Sequence, residues 1–370
     1  MKKFSVGWGL TNKCNMACDF CYSKNARSET QERGFKDWVN FINRNHQHIE
    51  AINYGTGENV IIDEFFYFAE YVRKSYPEIK QALTTNGFVS ERVHKNPRFM
   101  EIFKNAIDEV DVSVDFNDRE KHNRFRGQPK AYDWAIKTLK LNKELEKPNT
   151  IVFVGFDETF NEENLDGLFN LTKEHDALLR MNIYRPVSQN NVINKKYMLS
   201  YGALINGLQY IHDKYEIVSL SDSLLGNVFA DYEIVKDNTG QNSIRILADG
   251  TIYPSTYLIG AEHRSNVNID NTDLCTLRFQ QFENVEVPKE CKDCKYEGTC
   301  QGGVYDRRIL WYKTFAERDP YCPTRHDHVL PEKRFPLKKL SRISIHDGYL
   351  PTLFFKNRDE NADEETIHTR

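Results

Sequence analysis

The chain reads as an α/β protein built on a parallel, barrel-type sheet, and three observations lead there. Apolar β-type runs alternate with segments of helical periodicity through the first half. Crossovers between parallel strands are right-handed, so such a series either curls toward a barrel or winds both ways. The polar motifs decide between these, because each follows a strand, which gathers them on the face where barrel enzymes carry their loops.

In order, strands are expected at residues 4–10, 51–54, 81–84, 110–114, 151–156 and 178–184. Between them, Phe35, Trp38, Val39 and Ile42 share one helical face, as do Phe65, Phe68 and Val72, and Leu165, Leu168 and Phe169. Cys14, Cys18 and Cys21 follow the first strand; Gly55, Thr56, Gly57 and Glu58 the second; Thr84, Thr85, Asn86 and Gly87 the third. Ser113 and Asp115 end the fourth. Beyond about residue 190 the pattern loosens. A helix is expected over 196–215 and a hairpin over 244–252 turning at Ala248, Asp249 and Gly250. A second cysteine-rich segment, 275–322, precedes an acidic tail, 358–370, expected to fray. The expected units are 1–190, a helical connector 191–239, a cysteine-rich unit 240–325 and a tail 326–370.

Composition excludes several classes. The 370 residues carry a net charge of −4, so no global electrostatic case for nucleic acid exists. No apolar run approaches the roughly 20 residues that span a bilayer. The apolar run at the start is too short for a signal peptide. Eight cysteines in two clusters suit metal or catalysis rather than a disulfide framework, which implies a reducing compartment, the cytoplasm.

Cys14, Cys18 and Cys21 place three thiolates on one short loop, enough to grip three corners of a cubane iron–sulfur cluster. A zinc site normally closes with a fourth Cys or His, and no His lies within about twenty residues of Cys21. Cys291, Cys294 and Cys300, with Cys322, form a closed four-thiolate set suited to zinc or to a fully ligated cluster; spacing does not separate the two. Cys275 is left over, and is read as a small buried hydrophobe or as a supplementary thiol near the site.

The pattern CxxxCxxC, with Phe20 before its third cysteine, resembles the signature of the radical S-adenosylmethionine superfamily. The resemblance implies a six-stranded partial (β/α)6 barrel and a [4Fe–4S] cluster whose open iron is chelated by S-adenosylmethionine. Reduction then releases a 5′-deoxyadenosyl radical that abstracts a substrate hydrogen. GTGEN resembles the family's GGE motif with Thr56 inserted. It implies backbone approach at Gly57 and a carboxylate, Glu58, for the ligand's amine. Phe20, Thr85, Asn86 and Ser113 match further cofactor-binding positions, those of the third and fourth strands reaching ribose and carboxylate. Arg126, in HNRFRG, resembles a loop of peptide-modifying members where an arginine pairs with a carboxylate.

DGTIYPS and CKDCKYEGTCQGG resemble the SPASM extension of such enzymes. Two positions where that extension has cysteines hold Ser255 and Val304, whereas Cys291, Cys294, Cys300 and Cys322 match its outer cluster. The resemblance therefore implies two [4Fe–4S] clusters in all, one of them auxiliary, in a reduced, twitch-like version. The function implied is maturation of a ribosomally made precursor peptide, by crosslinking or, as GWGLTNKCN with GTGEN suggests for Nif11-type precursors, by splicease-like excision of tyramine. The alternatives are activation of a folded protein, of sulfatase- or quinohemoprotein-maturing type, and a non-catalytic zinc scaffold. Expected partners are the precursor peptide, an electron donor such as flavodoxin or ferredoxin, and a separate small leader-recognition protein. The last is expected because the residues flanking the motifs leave too little for a winged-helix unit.

Overall fold

Parallel strands and covering helices alternate as the periodicity requires. The computed structural model describes residues 2–24, 31–230, 237, 239–259, 265–330, 334–338, 340, 343–347 and 351–358. Strands β1 (Phe4–Trp8), β2 (Ile49–Tyr54), β3 (Lys80–Thr85), β4 (Glu109–Ser113), β5 (Asn149–Gly155) and β6 (Ala177–Ile183) pair in sequence order, all parallel. Helices α1 (Phe35–Asn45), α2 (Asp63–Ser75), α3 (Val89–Lys95), α4 (Pro97–Ala106), α5 (Arg119–Arg126), α6 (Ala131–Glu144) and α7 (Glu162–His175) make the crossovers. This is the expected six-unit partial barrel.

Each strand has two different faces. Val6 and Trp8, Ile52 and Tyr54, Val110 and Val112, Ile151 and Phe153, Leu179 and Met181 alternate in phase and are buried with the helices' apolar residues. Trp8, for instance, packs edge-on against Phe41 of α1 and Phe68 of α2, at 5.5 and 5.3 Å between ring centroids. The other phase, Gly7, Asn53, Asp111, Ser113, Arg180 and Asn182, is small or polar and faces the barrel interior; Asn53, Ser113, Arg180 and Asn182 line its cavity. Glycine at position 7 is required, because a Cβ there would meet the Arg245 guanidinium at 2.6 Å.

The second half extends this sheet. After α8 (Asn191–Lys196), α9 (Tyr201–Lys214), β7 (Glu216–Leu220) and α10 (Leu225–Val228), the expected hairpin forms from β8 (Ser243–Ile246) and β9 (Ile252–Tyr253). β8 pairs parallel with β1, which attaches the hairpin to the barrel. Helices α11 (Glu297–Cys300) and α12 (Tyr305–Tyr312) carry the cysteine-rich segment. Finally β10 (Leu353–Lys356) inserts antiparallel between β6 and β7, giving the order β7-β10-β6-β5-β4-β3-β2-β1-β8-β9. Leu353, Phe354 and Phe355 are fully buried, which explains an apolar run in an otherwise polar ending. The expected frayed tail lies, beyond Arg358, outside the described residues.

Candidate active site and cysteine clusters

The loop after β1 crosses the carboxyl end of the barrel. Cys14, Cys18, Phe20, Cys21, Gly57, Glu58, Thr85, Asn86, Ser113 and Arg126, the ten residues expected there, all line one cavity. Behind the cysteines stands an apolar wall. Phe20 stacks on Phe125 at 4.2 Å, and Phe125 on Phe156 at 5.4 Å, with Tyr197 edge-on to all three. This wall excludes water from one side of the thiols.

The loop is tied down from three sides. The Glu58 N–H donates to the Lys13 carbonyl at 2.9 Å. The Asn86 amide donates to Asn15 Oδ1 at 2.7 Å and lies 4.0 Å from Cys14 Sγ. The Cys18 thiol donates to the Arg126 carbonyl at 3.5 Å. Gly57 (φ +68°) is the close approach: a Cβ would sit 2.5 Å from the Thr11 carbonyl oxygen. Thr56, the residue inserted into the motif, also has a left-handed backbone, φ +84°. For a β-branched residue that is a strained conformation. Its hydroxyl, 3.1 Å from the Tyr22 hydroxyl, anchors the turn.

Glu58 is fully buried. Its carboxylate accepts from the Thr85 hydroxyl at 2.9 Å and the Asn86 N–H at 2.7 Å. Burial nevertheless pushes its pKa up to about 7, against those hydrogen bonds and Arg126, which pull it down. A cationic ligand in the cavity favours the charged form. Arg126 is held by Asp115, Nε to Oδ2 at 2.6 Å, and Asp115 also accepts from the Val154 N–H at 3.0 Å. Arg126 thus presents its remaining N–H groups beside Phe20 and the cysteine loop. Burial pushes the Cys18 thiol up to about 11, with Arg126 opposing, so metal binding there releases a proton.

Cys291, Cys294, Cys300 and Cys322 come together in the second half. The Cys294 N–H donates to the Cys291 carbonyl at 3.1 Å, and burial raises the Cys291 thiol to about 11, with Cys322 and Cys294 adding to the rise. The Cys300 thiol is raised too, by burial first and then by charges that include Cys322 and Cys291. Beneath them Arg307, fully buried, bridges Asp222 and Asp319, both at 2.6 Å. The two substituted SPASM positions are absorbed into the fold. Ser255 donates to Asp306 at 2.9 Å, Asp306 pairs with Arg185 at 3.2 Å, and Val304 is buried.

Tetrahedral zinc, bonded at about 2.3 Å, draws its sulfurs to about 3.8 Å from one another. Among the described residues, no three of these cysteines bring their Sγ atoms within 4.8 Å of one another. Cys275 departs from both its expected readings. It is exposed, grouped with His48 and Asp273 near the amino end of β2, away from the cavity. The Asp273 carboxylate is bonded to the Cys275 N–H, so this segment is a surface turn rather than core.

The sequence reading left out half of the cavity. Asn53, Arg180, Arg185, Arg245, Tyr257 and His346 line it too. The signal was present: Asn53, Asp111, Arg180 and Arg245 interrupt β-type runs at alternate positions, which marks the inward face.

Comparison with known proteins gives the same picture. Residues 8–169 match the model of the radical SAM superfamily. The mycofactocin maturase MftC of Mycobacterium tuberculosis is 22% identical over 359 residues, 91% of this chain and 89% of that protein. A GTP 3′,8-cyclase of Chlorobaculum tepidum is 26% identical over 193 residues; the match spans 50% of this chain and only 54% of the cyclase. In structure, Streptococcus suis SuiB bound to its precursor peptide SuiA superposes with a TM-score of 0.68 at 16% identity, over 87% of this chain and 76% of SuiB.

Proposed function

That residues 8–169 form a radical SAM domain is the premise from which we propose that this enzyme matures a ribosomally synthesised precursor peptide. One observation carries the reading. Three cysteines and the residues suited to S-adenosylmethionine converge on a single cavity at the carboxyl ends of the strands, and that cavity is completed by the cysteine-rich half. MftC and SkfB, another relative, are named as maturases, and SuiB is seen with a precursor peptide.

In this reading Cys14, Cys18 and Cys21 hold a [4Fe–4S] cluster, and Cys291, Cys294, Cys300 and Cys322 a second, auxiliary one. The bound cofactor supplies the 5′-deoxyadenosyl radical. The chain's residues position it: Glu58 receives the amine, Arg126 and Ser113 the carboxylate and ribose, and Gly57 lets backbone approach. Thr85 and Asn86 hold the Glu58 carboxylate in place, and the Phe20, Phe125 and Phe156 wall keeps water from the radical's path. A cluster held there would take its electron from a donor such as flavodoxin or ferredoxin. Such clusters belong in a reducing compartment, the cytoplasm. None of the helices among the described residues is long and apolar enough to cross a membrane. We assign leader binding to a separate small recognition protein. The bond made or broken on the peptide, a crosslink or a splicease-like excision, is read from product mass.

The test is anaerobic. Reconstituted enzyme reduced with dithionite should release 5′-deoxyadenosine and hold about eight irons from two cubanes. With Cys14, Cys18 and Cys21 all changed to Ala, about four irons should remain and no 5′-deoxyadenosine should form. Full iron retention or continued cleavage in that variant overturns the assignment.

A further inference from the structure

The inner wall of the cavity carries more positive charge than the chain neutralises. Arg180, Arg185 and Arg245 all line it, and each is at least 97% buried. Arg185 pairs with Asp306, and Arg180 lies 3.1 Å from Asp111. Arg245 has no carboxylate partner among the described residues. Its Nη1 donates to the Gly55 carbonyl at 3.0 Å and its Nη2 to the Thr256 hydroxyl at 3.2 Å. Buried N–H groups remain without an acceptor on all three: Arg245 Nε, Arg180 Nε and Arg185 Nη2. Buried donors are almost always satisfied, so this set points to a missing acceptor.

His346 does not supply it. The ring lies 3.1 Å from Asp111, and burial, then Arg180 and Arg245, keep it neutral. Asp111 is shared already, by Arg180, His346 and the Thr84 hydroxyl. The cofactor residues have their own cation, Arg126, which pairs with Asp115. Arg245 instead enters from β8 beside Tyr22, and Arg185 lies under Tyr257, 4.8 Å from its ring centroid.

We propose that Arg245, with Arg180 and Arg185, forms a carboxylate-binding subsite that seats an acidic side chain or the terminal carboxylate of the peptide substrate. This rests on the peptide-maturase reading and gives it a substrate requirement: a carboxylate near the reacting residue. A guanidinium whose Nε has no acceptor, and whose Nη groups each carry a further N–H, offers a carboxylate the two parallel N–H bonds it prefers.

The experiment uses reconstituted, S-adenosylmethionine-loaded enzyme and two capped tripeptides, acetyl-Gly-Asp-Gly-amide and its Asn counterpart, titrated by NMR line broadening. The Asp peptide should bind at least tenfold more tightly than the Asn peptide. Arg245→Met should abolish that preference, and Arg245→Lys should keep part of it. Equal binding of the two peptides to the unmutated enzyme, which needs no variant to fold, overturns the proposal. So does a preference that survives in Arg245→Met. A third arm separates the sources of carboxylate. If Arg245→Met weakens S-adenosylmethionine but not its decarboxylated analogue, the carboxylate is the cofactor's and the proposal is wrong. Release of 5′-deoxyadenosine in the same preparation tests the maturase reading separately, so the two fail by different readouts.

Discussion

Glu58 gives the sharpest test of how the cofactor's amine is held. Its carboxyl titrates at about 7 because burial outweighs the hydrogen bonds from Thr85 and Asn86. At pH 6 about one-tenth of it is charged and at pH 7 about one-half. An α-amino group, with a pKa near 8, stays largely protonated over that range. If the ammonium requires the charged carboxylate, affinity for S-adenosylmethionine should rise about fivefold from pH 6 to 7, about 1 kcal/mol. Glu58→Gln removes a charge-assisted hydrogen bond of about 1.5–3 kcal/mol, so affinity at pH 7 should fall about tenfold or more and lose its pH dependence. The same residue leaves a mark on stability. Raising a carboxyl from 4.5 to about 7 favours the folded state at low pH, where the group is protonated in both states. The penalty grows as pH rises from about 4.5 and is complete above about 7, reaching about 3 kcal/mol. Glu58→Gln should therefore be the more stable protein at pH 8 without cofactor, and nearly neutral at pH 4.5. Calorimetric titration at four pH values and thermal melts at two give both answers. A flat affinity profile for unmutated enzyme, or an unchanged dissociation constant in Glu58→Gln, would show that the GTGE turn is only structural.

Two further outcomes follow from the geometry. Gly57→Ala forces a left-handed backbone on alanine, about 1–2 kcal/mol, and drives a Cβ to 2.5 Å from the Thr11 carbonyl oxygen. Melting temperature and iron loading should both fall, and normal values for both would show that this turn does not brace the cysteine loop. Changing Cys291, Cys294, Cys300 and Cys322 together to Ser should cut iron from about eight to about four per chain; one zinc with four irons in the unmutated protein would assign the second set to zinc instead.

The barrel was legible because its strands are short apolar runs at regular spacing, and all six expected strands occur within two residues or so of their expected ends. The cysteine loop was legible because thiol spacing is a direct statement of ligand geometry. What escaped was long-range. β8 begins well over two hundred residues after β1, yet pairs with it in parallel, and no local period reports such a pairing. β10, four residues long, is too short for its sequence to report which strands it joins. Cys275 was misread because its neighbours Leu274 and Leu277 are buried while its own side chain, between them, points outward.

The late segments do more than close the sheet. Residues 343–347 reach the barrel floor, where the Glu109 carboxylate accepts from the Ser344 hydroxyl and the Ile345 N–H, both at 2.8 Å. This sets His346 against Asp111 inside the barrel, just before β10 wedges between β6 and β7. Asp111 titrates at about 6, raised by burial and lowered by Arg180, so its charge depends on that guanidinium. Burial, then Arg180 and Arg245, the last arriving on β8, keep His346 from taking a proton. The charged groups around the cavity floor thus come from segments hundreds of residues apart. A motif search sees the cofactor half of such a cavity, because cofactors impose fixed spacings. The half that meets the substrate is assembled by the fold, from single polar residues on strands that otherwise read as core.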